Sequence, residues 1–267
     1  MYAGAAIAVG LFGHVTPSGV AWLRCLGAAV VLLAWRRPKK AAWRGRALLL
    51  SATFGVVTAG MNVLFYEAIA RLPLGTVVAL EFVGPVVVAA FGSRTRRDIL
   101  AVVLVAAGVV AIADVRLEGS ALGVLFALGA AAAWAGYIVL GKRVAVGGNG
   151  IDSLAIGFAA ATVVLSPLAF GTGEVWGSPR LLLLGIGVGV LSTVVPYALD
   201  QIVLRRVGQA RFAVLLALLP VAASLTGLVA LGQIPSLFEA LGTLAIVGGV
   251  ALRSREPTPG PAPEPPG

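Results

Sequence analysis

Blocks of apolar residues, most of them about twenty residues long, recur along this chain between short polar or basic segments. The hydrocarbon core of a bilayer is about 30 Å thick and needs about 20 helical residues to cross it. Lipid supplies no partner for backbone N–H and C=O groups, so each block must satisfy them internally as a helix. With 59% hydrophobic and only 12% charged residues, the pattern predicts an all-α membrane protein.

The apolar blocks predict ten transmembrane helices and a disordered Pro-rich tail. The spans cover residues 2–13, 19–35, 47–70, 73–92, 99–114, 120–140, 153–170, 181–201, 212–231 and 237–252. The first span is short, because twelve helical residues reach only about 18 Å. A helix that lacks its N-terminal half and a re-entrant or partial helix both fit this length.

The distribution of Lys and Arg predicts the orientation of the helices. If the N-terminus is inside, the inside segments carry 16 of these residues and the outside segments carry 3. Cytoplasmic loops of membrane proteins carry the excess of Lys and Arg. We therefore expect both termini in the cytoplasm. Topology accounts for the net charge of +9, and we expect no nucleic-acid partner.

Two stretches of the chain resemble each other weakly. Residues 55–85 and 189–220 both begin with Gly-Val, carry a Tyr and an acidic residue in one helix, and end a second helix at Pro. Five spans lie between them, so two five-helix repeats would be inverted. We predict repeats at 1–114 and 115–252, followed by the tail at 253–267. Inverted repeats are typical of transporters, whose substrate site lies at the repeat interface.

Two ionisable residues within predicted spans are candidates for function, because charge inside a membrane is costly. Glu81 lies near the centre of the fourth span, and Pro85 removes the N–H that would bond the Glu81 carbonyl. An ammonium group or a proton can bind there; the alternative is a structural Glu paired with a neighbouring helix. Arg24 can hold a substrate carboxylate or form a fixed ion pair with Glu81. Together they can bind both ends of a zwitterion.

Two further charged residues in spans favour a structural interpretation. Glu67 precedes Arg71 by four residues, which is the spacing of an ordinary helix ion pair. Asp200 lies beside Arg205 and Arg206 near the inner end of the eighth span. We expect an interfacial role there.

Polar and aromatic residues at helical spacing on three spans form a second group of candidates. They are Asn62 and Tyr66 on the third span, Trp134 and Tyr137 on the sixth, and Ser192, Thr193 and Tyr197 around Pro196 on the eighth. A cavity for a small polar solute needs a few such groups on apolar walls. Helix packing or a place in an interfacial belt is the alternative for each. The predicted substrate-binding and translocation residues are Arg24, Asn62, Tyr66, Glu81, Pro85, Trp134, Tyr137, Pro196 and Tyr197.

The sequence predicts neither a metal site nor a cofactor. The single His14 cannot form a metal cluster alone, and the single Cys25 excludes an intrachain disulfide. A GxxxxGK[ST] phosphate loop is absent, which argues against an ATP-driven pump that acts alone. An intramembrane enzyme needs convergent acids, bases or metal ligands, and the scattered charges do not offer them.

Three stretches, at 60–86, 129–145 and 191–207, resemble the threonine/homoserine exporter group of the EamA-type drug/metabolite transporter superfamily. The first reads GMNVLFYEAIARLPLGTVVALEFVGPV. The resemblance implies ten helices in two inverted repeats, the bacterial inner membrane, and export of amino acids by proton exchange. Many members of the group carry Glu where this chain has Leu219, before Pro220, and Gln233, after Gly232. Without these carboxylates, Glu81 is the residue expected to couple transport to protons.

We therefore predict a secondary exporter of small neutral amino acids, similar to threonine or homoserine, and not an enzyme. Its expected partners are the amino-acid substrate, the coupling proton and the lipid bilayer. We expect the protein to be a monomer or a homodimer. An exporter of another small metabolite or a drug-like amine is the alternative.

Overall fold

The computed structural model describes residues 2–92, 96–146, 150–196 and 218–254. The regular elements in these ranges are helices, and no strand occurs among the described residues. The helices are α1 (Tyr2–Leu11), α2 (Pro17–Arg36), α3 (Gly45–Ile69), α4 (Leu74–Glu81), α5 (Val83–Gly92), α6 (Arg96–Val146), α7 (Gly150–Val164), α8 (Gly173–Gly177), α9 (Pro179–Gly189), α10 (Leu219–Leu231) and α11 (Leu237–Ser254). The predicted all-helical fold is confirmed for this part of the chain.

Length and composition allow three of the described helical segments to cross a membrane. They are Pro17–Arg36, Gly45–Ile69 and Ser120–Gly141. A fourth is added if Ile151–Val164 and the bent Ser166–Gly177 segment form one span. The other apolar helices have 10–17 residues. Predicted Tyr197 and Asp200 lie outside the described residues, as does the Pro-rich tail after Ser254. Residues 253–254, predicted as the start of the tail, belong to α11.

The prediction of one continuous helix over the seventh span, residues 153–170, was wrong. Helix α7 ends at Val164, and the chain bends by 70° into the 3-10 helix Ser166–Thr172. Pro167 explains the change, because it has no N–H for the carbonyl four residues earlier and its ring clashes with the preceding helical turn.

The fifth and sixth predicted spans are two arms of α6. The helix continues through the predicted joint at 115–119 and breaks at Ser120, whose φ of −163° and ψ of 64° are not helical. The Ser120 hydroxyl accepts a hydrogen bond from the N–H of Gly123 at 3.3 Å, which is how an N-cap serine begins a helix. Ser120 therefore starts the second arm as a new helix.

Close backbone contacts hold the helices together. A Cβ atom on Gly55 of α3 would overlap the backbone of Gly157 on α7, and one on Gly27 of α2 would lie 3.0 Å from the carbonyl oxygen of Ile186 on α9. Small residues permit such approach between membrane helices. In both contacts a helix of the first half of the chain packs against a helix of the second half.

Polar contacts join distant segments of the chain at the two ends of the bundle. At the end where α2 begins, His14 Nδ1 lies 3.0 Å from Glu174 Oε2, and the N–H of Thr16 donates to the carbonyl of Gly171. At the end where α2 finishes, Arg36 Nε donates to Asp152 Oδ1 at 2.9 Å. We call these the α2-start end and the α2-finish end.

Candidate functional site

Arg24 joins the first half of the chain to the second half in the interior of the bundle. Its Nε donates to the Thr193 hydroxyl at 3.0 Å, and its Nη2 donates to the Ser192 carbonyl at 3.0 Å. Only 6% of Arg24 is exposed. A guanidinium has five N–H donors, so these two bonds leave donors for a further acceptor.

Local structure in the eighth predicted span explains why a backbone carbonyl is available to Arg24. Residues Val190–Val194 form a π-helical turn directly after α9, and such turns are frequent at functional sites. Pro196 lies four residues after Ser192 and has no N–H, so the Ser192 carbonyl has no α-helical partner at that position. The carbonyl therefore accepts a hydrogen bond from the arginine.

Tyr66 lies beside Arg24 with an unsatisfied hydroxyl. The Arg24 Cζ is 5.7 Å from the centroid of the Tyr66 ring, and the edge of the Phe12 ring meets that ring at 6.3 Å between centroids. Tyr66 is 0% exposed, and its hydroxyl has no hydrogen-bond partner among the described residues. Asn62, one helical turn earlier, is also buried, at 3% exposed.

Glu81 is buried, at 5% exposed, at the last residue of α4. It interacts electrostatically with Arg24 and with Tyr2. Among the described residues, no Arg, Lys or His nitrogen lies within 4.0 Å of its carboxylate, and none donates a hydrogen bond to it. The alternative in which Glu81 and Arg24 form a fixed ion pair is therefore wrong for this conformation.

The helix is interrupted next to Glu81, as the position of Pro85 predicts. Helix α4 ends at Glu81 and α5 begins at Val83, with Phe82 between them. Trp134 packs edge-on against Phe82, with centroids 5.0 Å apart. The break thus directly follows Glu81, and one predicted aromatic residue packs against Phe82 at the break.

The remaining predicted residues lie elsewhere or pack against helices. Tyr137 stacks on Phe54 with centroids 4.9 Å apart, as in ordinary helix packing. Arg71 Nη1 lies 2.6 Å from Glu67 Oε2, so the predicted helix pair is confirmed. Among the described residues, no group of three His, Cys, Asp or Glu side chains can hold a metal ion.

Two polar contacts with α4 were missed by sequence reasoning. Glu239 is 1% exposed, and its Oε1 accepts from the Thr76 hydroxyl at 2.7 Å. Its Oε2 accepts from the N–H of Ser236 at 3.0 Å, a capping-box pattern that the Ser-x-x-Glu sequence predicts. Gln233 Oε1 accepts from the N–H of Leu74 at 2.9 Å, and no local sequence pattern predicts that bond. A pocket of about 210 Å³ lies beside these contacts.

Comparison with known proteins identifies the family. Residues 121–255 match the EamA-like transporter family. The threonine/homoserine exporter RhtA of Salmonella typhimurium strain LT2 is 35% identical over 266 residues, covering 95% of this chain and 88% of the relative. The threonine/homoserine exporter RhtA of Escherichia coli strain K12 is 36% identical over 252 residues, covering 91% and 84%.

A solved crystal structure shares the fold. It aligns with a TM-score of 0.62 at 21% sequence identity, over 94% of this chain and 91% of that chain. The fold, the family match and relatives that are similar over nearly the whole chain agree with one another. The chain belongs to the EamA-like transporter family.

Proposed function

We propose that this protein exports small neutral amino acids, threonine and homoserine among them, across the bacterial inner membrane in exchange for protons. The observation that carries the proposal is a buried pair of opposite charges, Arg24 and Glu81. Among the described residues, Arg24 uses only part of its donors and Glu81 has neither a hydrogen bond nor an ion pair. The named activity of the two similar exporters supports the choice of substrate.

The two opposite charges suit a zwitterion. The guanidinium of Arg24 can bind a carboxylate through paired N–H groups, and its orientation is held by Thr193 and Ser192. The Glu81 carboxylate can accept N–H bonds from the substrate ammonium. Burial strengthens both interactions, because little water competes for them. The Tyr66 ring faces Arg24, and Asn62 lies one helical turn from Tyr66 on the same helix. Phe82 directly follows Glu81, and Trp134 packs against Phe82.

Proton coupling follows from competition at Glu81. An ionised carboxylate in a membrane is costly unless a cation or a proton neutralises it. The substrate ammonium and a proton therefore bind Glu81 alternately. Release of the amino acid on one side leaves Glu81 to take up a proton, which the protein carries back to the other side.

The helix contacts support two inverted repeats at 1–114 and 115–252. In two such repeats, each span of the first repeat corresponds to the span five places later, so span three corresponds to span eight and span two to span seven. The Gly55–Gly157 contact joins spans three and seven. Its symmetric counterpart is a contact between spans eight and two. Gly27 and Ile186 make such a contact. Gly75 meets Ser224 between spans four and nine, and this pair of spans corresponds to itself. Alternating access by rocking of one repeat against the other is the motion expected of such transporters.

The distribution of charge supports cytoplasmic termini. The exposed basic segment between α2 and α3 lies at the α2-finish end, together with half-exposed Trp35 and partly exposed Trp43. Lys and Arg favour the cytoplasmic side, and Trp favours the membrane interface. We therefore assign the α2-finish end to the cytoplasm.

The experiment uses purified protein in liposomes loaded with labelled threonine or homoserine, with and without an imposed pH gradient. Wild-type protein should accelerate release, and a gradient that supplies protons for exchange should increase the rate. Glu81→Gln should abolish the response to the gradient, because an amide cannot bind and release a proton as a carboxylate does. Glu67→Gln is the matched control, because Glu67 forms an ion pair with Arg71 on its own helix and does not belong to the proposed site. This variant should behave as wild type.

Two outcomes would overturn the proposal in different ways. Absence of release above protein-free liposomes, with correctly folded protein, removes the substrate assignment. A full gradient response in Glu81→Gln removes the coupling role of Glu81. An amine without a carboxylate tests the alternative cargo: if it is exported as well as threonine, and Arg24→Ala does not slow it, a drug-like amine is the better substrate class.

A further inference from the structure

The hydroxyl group of Tyr66 is an unexplained polar group in the interior. It is the buried side-chain polar atom that lacks a hydrogen-bond partner among the described residues. A buried hydroxyl without a partner costs about 1–3 kcal/mol, and a phenylalanine at this position would avoid that cost. An unsatisfied group of this kind calls for a functional explanation.

The position of Tyr66 relates this hydroxyl to the amino-acid site. Its ring faces the guanidinium of Arg24 at 5.7 Å, and Phe12 packs against the same ring. Ring packing fixes the direction of the hydroxyl, because Tyr has only two rotatable side-chain bonds. A carboxylate bound to Arg24 thus brings the first carbons of an amino-acid side chain close to the tyrosine.

We propose that Tyr66 recognises the side-chain hydroxyl of the substrate and selects hydroxylated amino acids over their apolar isosteres. This inference rests on the proposed function and assigns the selectivity of that site. Threonine carries its hydroxyl on Cβ and homoserine on Cγ, so both place it within a short distance of the carboxylate. A phenol both donates and accepts hydrogen bonds, which lets it pair with either geometry.

The cost of leaving the buried Tyr66 hydroxyl unpaired predicts discrimination against valine and norvaline. These amino acids have a methyl group where threonine and homoserine, respectively, have the hydroxyl. A site built to bond a substrate hydroxyl rejects an analogue without one, because its own buried polar group then stays unpaired. Asn62 lies one turn away on the same helix and can supply a second partner to the hydroxyl, since its amide has no hydrogen bond among the described residues.

The test compares wild type with Tyr66→Phe, which keeps the ring and removes only the oxygen. Wild-type liposomes should release threonine faster than valine, and homoserine faster than norvaline. In Tyr66→Phe both ratios should fall by about tenfold or more, the factor that corresponds to one lost hydrogen bond in a buried site. Alanine serves as the reference substrate, and its release should change little.

Ligand-induced thermal stabilisation gives a readout that does not depend on transport. Threonine should raise the Tm of wild type more than valine does, and the two should act alike on Tyr66→Phe. If Tyr66 is only structural, Tyr66→Phe will leave the threonine-to-valine ratio unchanged, which overturns the inference. Equal export of threonine and valine by wild type overturns it too. If wild type exports none of these amino acids, the proposed function itself fails.

Discussion

The side chain of Arg24 donates a hydrogen bond of 3.0 Å to the hydroxyl of Thr193, a residue 169 positions later in the chain. The bond joins α2 to the π-helical turn after α9 and directs the guanidinium toward the buried site. Thr193 is itself completely buried. The orientation of the arginine therefore depends on both halves of the protein.

Replacing Thr193 should weaken substrate binding without unfolding the protein. Thr193→Val keeps the shape but removes the acceptor, so the Arg24 Nε is left without its partner, and we expect the concentration for half-maximal threonine export to rise about tenfold. Thr193→Ser keeps the hydroxyl and should stay close to wild type. Liposome export at a series of threonine concentrations measures the effect. Equal behaviour of the valine and serine variants would contradict a role for this bond.

Close packing between α3 and α7 should make Gly55 intolerant of any side chain. A Cβ there overlaps the backbone of Gly157, so Gly55→Ala must push the helices apart and should lower the Tm in detergent by several degrees. Gly60 on the same helix has no atom within 4 Å of an added Cβ. Gly60→Ala is the control, and its better helix propensity should preserve or raise the Tm. A smaller loss for Gly55→Ala than for Gly60→Ala would contradict this packing.

The amide of Gln233 caps the first turn of α4, whose own N-cap residue, Pro73, makes no side-chain hydrogen bond. Gln233→Leu should destabilise the protein by about 1 kcal/mol, the usual cost of a lost N-cap. Gln233→Glu keeps an acceptor oxygen and adds a negative charge at a helix N-terminus, which is favourable. Thermal unfolding in detergent should therefore rank glutamate at or above wild type and leucine below it. The reverse order would contradict the capping role.

Cysteine labelling should locate the two ends of the bundle. In a Cys25→Ser background, Lys40→Cys and Gly177→Cys place single thiols at exposed positions of the α2-finish and α2-start ends. A maleimide that cannot cross the inner membrane should label Gly177→Cys in intact spheroplasts and should label Lys40→Cys only after lysis. The opposite pattern would show that the proposed orientation is inverted.

The amino-acid sequence was sufficient for properties that depend on neighbouring residues. Apolar blocks predicted the helices, because a backbone in lipid must bond to itself. The spacing of Glu67 and Arg71 predicted their ion pair, since four residues make one helical turn. Pro85 predicted the interruption beside Glu81. The same principle accounts for the bend after α7, because Pro167 cannot continue that helix.

Contacts between distant segments were decided only by the tertiary structure. Arg24 and Glu81 are opposite charges that the sequence suggests as an ion pair. Arg24 nevertheless donates its hydrogen bonds to Thr193 and Ser192, and Glu81 makes neither a hydrogen bond nor an ion pair among the described residues. Which groups meet depends on how each helix rotates and how closely the glycines let it approach its neighbours. Helical periodicity determines the face on which Tyr66 lies. Only the packing of α2 and Phe12 against α3 leaves its hydroxyl buried near an arginine and without a hydrogen bond among the described residues.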